Sequence, residues 1–294
     1  MRCNRVFLLT SLVAWAAVAT TLALAQRPSP AGGSPPATAP SGAATAPAAE
    51  QAATDYHLFL LIGQSNMAGR GAVADEDRQP HPRVLVLDKN EKWQPAVDPL
   101  HFDKPQVVGV GPGRSFGVAY AEAHPDATVG LIPCAVGGSP IAAWQPGAYY
   151  QATHSHPYDH AMARAKVALR SGSLRGILWH QGESDASPDL SAAYADKLAE
   201  LIARLRDELM APEVPFLIGQ LGQFAERPWD EHRRRVDQAH RELAQRLPLV
   251  AFVSSQGLTH RGDEVHFDSP SARQFGQRYF EAWQQCQRAE PPPP

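Results

Sequence analysis

Ser65, in Gly63-Gln64-Ser65-Asn66, and His266, in Asp263-Glu264-Val265-His266, are the residues of this chain whose types and neighbours best suit covalent chemistry. A serine at a strand-to-helix turn presents its hydroxyl and also its own backbone N–H, which at a helix N-terminus stabilises developing negative charge. A carboxylate three residues before a histidine can hold the imidazole in one tautomer while the other ring nitrogen faces a nucleophile. Taken together, the two segments would support acyl transfer through a serine. Each also has a plainer reading: Ser65 as a helix N-cap, and His266 as one solvated histidine among the twelve in the chain.

Two other polar, glycine-containing segments follow apolar runs, Gly137-Gly138-Ser139 and His180-Gln181-Gly182-Glu183-Ser184. What must position them is an alternation of short apolar runs with longer amphipathic segments. Strands are expected at Leu58–Ile62, Thr128–Pro133, Gly176–Trp179, Phe216–Gln220 and Val250–Ser254. Helices are expected at Ser115–Ala123, Tyr158–Arg170, Leu190–Leu209, Trp229–Leu247 and Pro270–Gln285, the last with Ser269 as N-cap. Leu198, Leu201, Ile202, Leu205 and Leu209 recur at three- and four-residue spacing, so they form a core-facing stripe. This alternation predicts an α/β fold, a three-layer α/β/α sandwich on a mostly parallel five-stranded sheet. In such a sheet ligands bind beyond the carboxyl ends of the strands, where the three glycine-containing segments fall.

Composition bounds the alternatives. The 294 residues carry a formal net charge of −3, so nothing draws the chain toward nucleic acid or an anionic membrane. Arg2 and Arg5 precede an apolar run from Val6 to Ala19, followed by Ala23-Leu24-Ala25, an order that predicts a secretory signal peptide over 1–25 and a secreted or periplasmic product. The alternative is an uncleaved N-terminal anchor; after cleavage no membrane insertion is expected. Residues 26–53 are nearly all Pro, Ala, Gly, Ser and Thr and predict a flexible linker, leaving a folded domain over 54–288 and an unstructured tail at 289–294. Cys134 and Cys286 remain after cleavage; export would permit a disulfide, but their positions favour two free thiols. His154, His156 and His160 with Asp159 resemble a metal cluster only in composition and fit a solvated helix start better.

With Ser65 and His266 placed, the chain resembles the SGNH-hydrolase superfamily, and within it the sialate O-acetylesterase and acetylxylan esterase branch. The resemblance runs through Leu60–Gly69, Gly137-Gly138-Ser139, Trp179–Asp185 and Asp263–Phe267. It implies a flavodoxin-like fold with Ser65 as nucleophile and His266 as general base, and no cofactor or metal. It also implies an oxyanion hole made by the backbone N–H groups of Ser65 and Gly138 and the side-chain amide of Gln181, which stands where the wider superfamily has Asn. The carboxylate behind the base is Asp263 or Glu183, with Asp263 favoured by its proximity in sequence. Gln64, Asn66, Arg114 and Trp144 are candidates for contacting substrate, as are Tyr149 and Tyr150. The expected partner is an acetylated carbohydrate; the alternatives are a catalytically silent sugar-binding protein or an esterase of non-sugar esters.

Overall fold

Phe59 and Leu61 are buried on one side of their strand and Leu58, Leu60 and Ile62 on the other, all five at 0% exposure. A strand apolar on both faces has to lie inside a sheet covered by helices on both sides. The computed structural model describes residues 55–288 and shows that arrangement; the signal-peptide expectation at 1–25, the linker expected at 26–53 and the tail at 289–294 lie outside the described residues. Among the described residues no helix is long and apolar enough to cross a membrane.

In chain order the elements are β1 (Tyr56–Gly63), α1 (Ser65–Ala68), β2 (Val84–Leu87), β3 (Trp93–Pro95), α2 (Pro112–Ala123), β4 (Val129–Pro133), α3 (Pro157–Ala168), β5 (Gly172–His180), α4 (Tyr194–Glu208), β6 (Phe216–Gly219), α5 (Glu231–Arg246), β7 (Val250–Val253) and α6 (Ser269–Arg288). The sheet has seven strands in the order β3-β2-β4-β1-β5-β6-β7. All neighbours are parallel except β2 and β3. The five strands expected from sequence are β4, β1, β5, β6 and β7, which stand in the flavodoxin order of second, first, third, fourth, fifth. The expected count of five is therefore corrected to seven. The two additions are an edge pair of four and three residues, too short to show a periodicity.

Helices α2 and α6 cover one face through Phe116, Tyr120, Phe275 and Tyr279, while α3, α4 and α5 cover the other through Tyr158, Leu201, Ile202 and Val236. Pro112 and Pro157 open α2 and α3, where a missing N–H costs nothing. The cap of α6 differs from expectation. Asp268, not Ser269, accepts the N–H of Ser271 at 2.8 Å, and Ser269 is the first helical residue, its hydroxyl donating to the Ala72 carbonyl. Cys134 and Cys286 are both free thiols.

One buried acid ties fold stability to pH. Asp98 is 3% exposed, and burial pushes its carboxyl up to about 7, the nearby Asp77 adding to this while Arg114 opposes it. The unfolded chain releases this proton near the ordinary 3.8, so between that value and about 7 the folded state holds a proton that the unfolded state lacks. Stability contributed by this group therefore falls as pH rises through that window, by at most about 1.4 kcal/mol per pH unit. Asp98→Asn is expected to shrink the difference in urea-unfolding free energy between pH 5 and pH 8; an unaltered difference would refute the assignment.

Candidate active site

β1 ends at Gly63, with φ +123°, where a Cβ would fall 2.1 Å from the carbonyl oxygen of His180 on β5. Only glycine admits that approach, which brings the ends of the two central strands together. Gln64 then occupies the N-cap position of α1, so Ser65 is the first helical residue and not a cap. Ser65 is 6% exposed, and its Oγ lies 3.0 Å from His266 Nε2.

His266 is presented by a turn that Asp263 builds. Asp263 Oδ1 accepts the N–H groups of Val265 at 3.0 Å and His266 at 2.8 Å, while its Oδ2 meets His266 Nδ1 at 2.8 Å. Burial pushes the Asp263 carboxyl up, but the His266 and Val265 N–H groups and the His266 ring outweigh it and hold it down to about 2. An ionised carboxylate can only accept, so Nδ1 carries the ring proton and Nε2 offers its lone pair to the Ser65 hydroxyl. The rest of the loop is fastened from outside: Arg261 donates to the Arg70 carbonyl at 2.6 Å, and Arg261 N–H to the His266 carbonyl at 2.9 Å.

Glu183 takes a different position. Its Oε1 accepts from Asn66 Nδ2 at 2.7 Å and stands 3.7 Å from His180 Nδ1, and it makes no contact with His266. Asn66 passes this anchorage on, donating to the Val265 carbonyl and accepting the Phe267 N–H, both at 3.1 Å. The pair thus clamps the histidine loop onto α1, and Asn66, 3% exposed, acts on that loop and not on substrate.

Of the expected oxyanion donors, the N–H groups of Ser65 and Gly138 have no acceptor among the described residues. Gln181 does not stand ready as the third. It is 0% exposed, and its Nε2 lies 3.1 Å from Gln64 Oε1, 3.1 Å from the Ser139 carbonyl and 2.5 Å from Asp185 Oδ2. With both amide hydrogens committed, Gln181 knits the three loops together beneath the site. Gln64 belongs to the same knot: its Oε1 also faces the Gly182 and Ser184 N–H groups, at 3.5 and 3.3 Å, which corrects its assignment as a substrate contact.

A family model described as carbohydrate esterase, sialic acid-specific acetylesterase, matches residues 55–285. The chain belongs to this family. It is therefore a carboxylic ester hydrolase of the carbohydrate acetylesterase kind. A probable carbohydrate esterase of Arabidopsis thaliana is 31% identical over 246 residues, spanning 77% of this chain and 89% of that protein. Its crystal structure superposes with a TM-score of 0.69, at 28% identity, over 79% of this chain and 98% of that one. A probable 9-O-acetyl-N-acetylneuraminic acid deacetylase of Escherichia coli is 22% identical over 59% of this chain and 65% of its own length. A carbohydrate acetylesterase from Xanthomonas citri shares the fold at a TM-score of 0.60 and 19% identity, over 78% of this chain and 56% of that one.

Two further candidates in this esterase lie away from the cleft. Arg114 points from α2 to the carbonyls of Gln79 and Ala96 and lines a separate surface groove with Pro82 and Arg273. Trp144 is 1% exposed, donates to Ser139 Oγ at 3.0 Å and packs edge-on against Trp179, so it is core. Tyr150 does reach the site: a Cβ on Gly138, whose φ is +79°, would stand 3.0 Å from the Tyr150 hydroxyl and 3.9 Å from Lys104 Nζ. Sequence reading missed Lys104, Asp103 and Arg70. Asp103 Oδ2 accepts the Gly137 N–H at 2.7 Å and faces Arg70 Nη2 at 3.4 Å, holding the glycine loop in place. All three residues lie in irregular segments with no periodic pattern, and only the fold brings them to Gly137 and Gly138.

Proposed function

We propose that the protein removes O-acetyl groups from carbohydrates through an acetyl-enzyme on Ser65. The observation that carries this reading is the continuous line of hydrogen bonds from Asp263 through His266 to Ser65 Oγ, at 2.8 and 3.0 Å. As Ser65 Oγ attacks the ester carbonyl, His266 Nε2 takes the hydroxyl proton, and Asp263 stabilises the resulting imidazolium. The carbonyl oxygen becomes an oxyanion facing the Ser65 and Gly138 N–H groups. Collapse expels the sugar alcohol, which receives the proton from Nε2. Water then gives a proton to Nε2 as it attacks the acetyl carbon, and collapse returns that proton to the departing Ser65 Oγ, releasing acetate and restoring the hydroxyl. Export through the N-terminal segment is part of the same proposal, since acetylated glycans of the envelope or the surroundings would then be within reach.

Acetyl, butyryl and octanoyl esters of one sugar and of one aryl alcohol test this reading. The expected result is a fall of roughly tenfold or more in kcat/KM from acetyl to butyryl, with the sugar acetates cleaved. A preference for octanoyl esters with no release from sugars would favour a non-sugar esterase. Sugar binding with no ester cleaved would favour a silent binding protein.

A further inference from the structure

A cavity of about 360 Å³ opens between the end of β4, the loop carrying His101 to Asp103, the loop carrying Thr153 and Ser155, and the first turns of α3. That volume is within the range of small-molecule sites. It borders the proposed reaction centre through shared residues. Asp103 and Val136 line it, Gly137 and Gly138 directly follow Val136, and Asp103 Oδ2 is the group that holds the Gly137 N–H.

Three of its lining residues carry a buried polar atom with no partner among the described residues: His101 Nε2, Asp103 Oδ1 and Arg164 Nε. His101 and Arg164 are 5% and 8% exposed, and the Asp103 side chain 3%. Buried polar atoms left unpaired are costly, and three in the walls of one cavity favour a polar occupant over an apolar one. Their remaining capacity defines its chemistry. Arg164 gives one N–H of each Nη to the carbonyls of Asp88 and Leu87, at 3.0 and 2.6 Å, and its Nε–H has no partner among the described residues, so what it offers is donors only. Asp103 spends Oδ2 on Gly137 and Arg70, leaving one oxygen to accept. Burial pushes His101 down to about 3, so its ring is neutral and each nitrogen either donates or accepts. With Lys89 and Arg164 set against Glu91 and Asp103 in the lining, no single sign of charge prevails, which disfavours an ion. Hydroxyl groups, able to donate and accept alike, match this mixed set. The Phe102 ring, held beneath the Arg164 guanidinium at 4.8 Å, adds an apolar surface of the kind on which sugar rings rest.

We propose that this cavity is a subsite for a second sugar ring, adjoining the acetylated ring in an oligosaccharide. The proposal rests on the carbohydrate-ester reading above and deepens it: the substrate is a glycan chain, not a free monosaccharide.

The test compares acetate release from acetylated mono- and trisaccharides of xylose, galacturonic acid and N-acetylneuraminic acid, with 4-nitrophenyl acetate alongside. Ala163→Trp is the principal variant, because Ala163 is exposed at the cavity rim and an indole there would fill the mouth without entering the core. His101→Gln is the second, accepted only if its thermal unfolding matches that of the parent. In whichever series is cleaved, the wild type is expected to favour the trisaccharide by roughly tenfold or more in kcat/KM, and both variants to lose that gain. Equal values for mono- and trisaccharide in the wild type, or a gain that survives in Ala163→Trp, would overturn the subsite. Cleavage of the aryl ester with no sugar acetate cleaved in any series would instead sink the carbohydrate reading on which it rests.

Discussion

Ser65→Ala is expected to lower kcat for acetyl-ester hydrolysis by roughly 10⁴- to 10⁶-fold, the loss typical of removing a serine nucleophile from a working triad. Among the described residues, Ser65 Oγ is the hydroxyl that meets His266 Nε2, at 3.0 Å. The residue is small and sits at the start of a four-residue helix, so the change removes one hydroxyl and leaves its packing intact. Thermal unfolding should move little, and the residual rate should come from binding and the oxyanion donors alone. Steady-state acetate release, read beside trapping of an acetylated enzyme by rapid quench and mass spectrometry, checks both parts. Activity within tenfold of the wild type, or an acetyl group found on another residue, would remove Ser65 from the reaction.

Asp263→Asn is expected to cost roughly 10⁴-fold in kcat with a much smaller effect on KM, because an amide can donate to His266 Nδ1 and so favour the wrong tautomer. Glu183→Gln keeps an acceptor for Asn66 and should cost about tenfold or less, since Glu183 reaches the histidine only through the loop that Asn66 clamps. The reverse ranking, with Asp263→Asn near normal, would place the working carboxylate elsewhere. Stability and pH separate from catalysis here. Asp263 has its carboxyl held down to about 2, so it contributes stability above the ordinary 3.8 that is lost only as pH falls through about 2. Its side chain is 40% exposed, so solvent screens that contribution to about 1 kcal/mol or less. At neutral pH Asp263→Asn should therefore lose activity with nearly unchanged unfolding. The acid limb of the wild-type rate profile, for the same reason, will not report Asp263.

The same contrast between near and distant partners separates what could be read along the chain from what could not. The doubly buried strands announced themselves as continuous apolar runs, and the long helix α4 by its leucine stripe, because burial on a sheet or a helix face repeats with the backbone period. The Asp263-to-His266 contact was legible because a carboxylate three residues before a histidine meets it through a turn, a matter of local geometry that the spacing alone carries. Ser65 was legible as a nucleophile or a cap, and its position after β1 placed it at the sheet edge where the other loops also end. The short edge pair β2 and β3 was not legible, for strands of four and three residues are made by pairing with a neighbour and not by their own pattern.

Side-chain assignments across long separations belonged to the tertiary structure. Gln181 was expected to face the oxyanion, but Asp185, Ser139 and Gln64 surround its amide and turn it into a buried tie between loops. Arg114 and Trp144 were placed in the cleft by sequence neighbourhood, whereas the fold points one to a separate groove and packs the other in the core. Asp103 drew no notice as a residue, yet it holds Gly137 across 34 positions of chain. By itself, then, the sequence determined the sandwich, the place of Ser65 directly after β1, and the carboxylate that meets His266, all set by backbone period or by a turn. Which distant side chains those loops would meet was decided only when the sheet brought them to one edge, because a hydrogen-bond partner hundreds of ångströms away along an extended chain is chosen by packing and not by spacing.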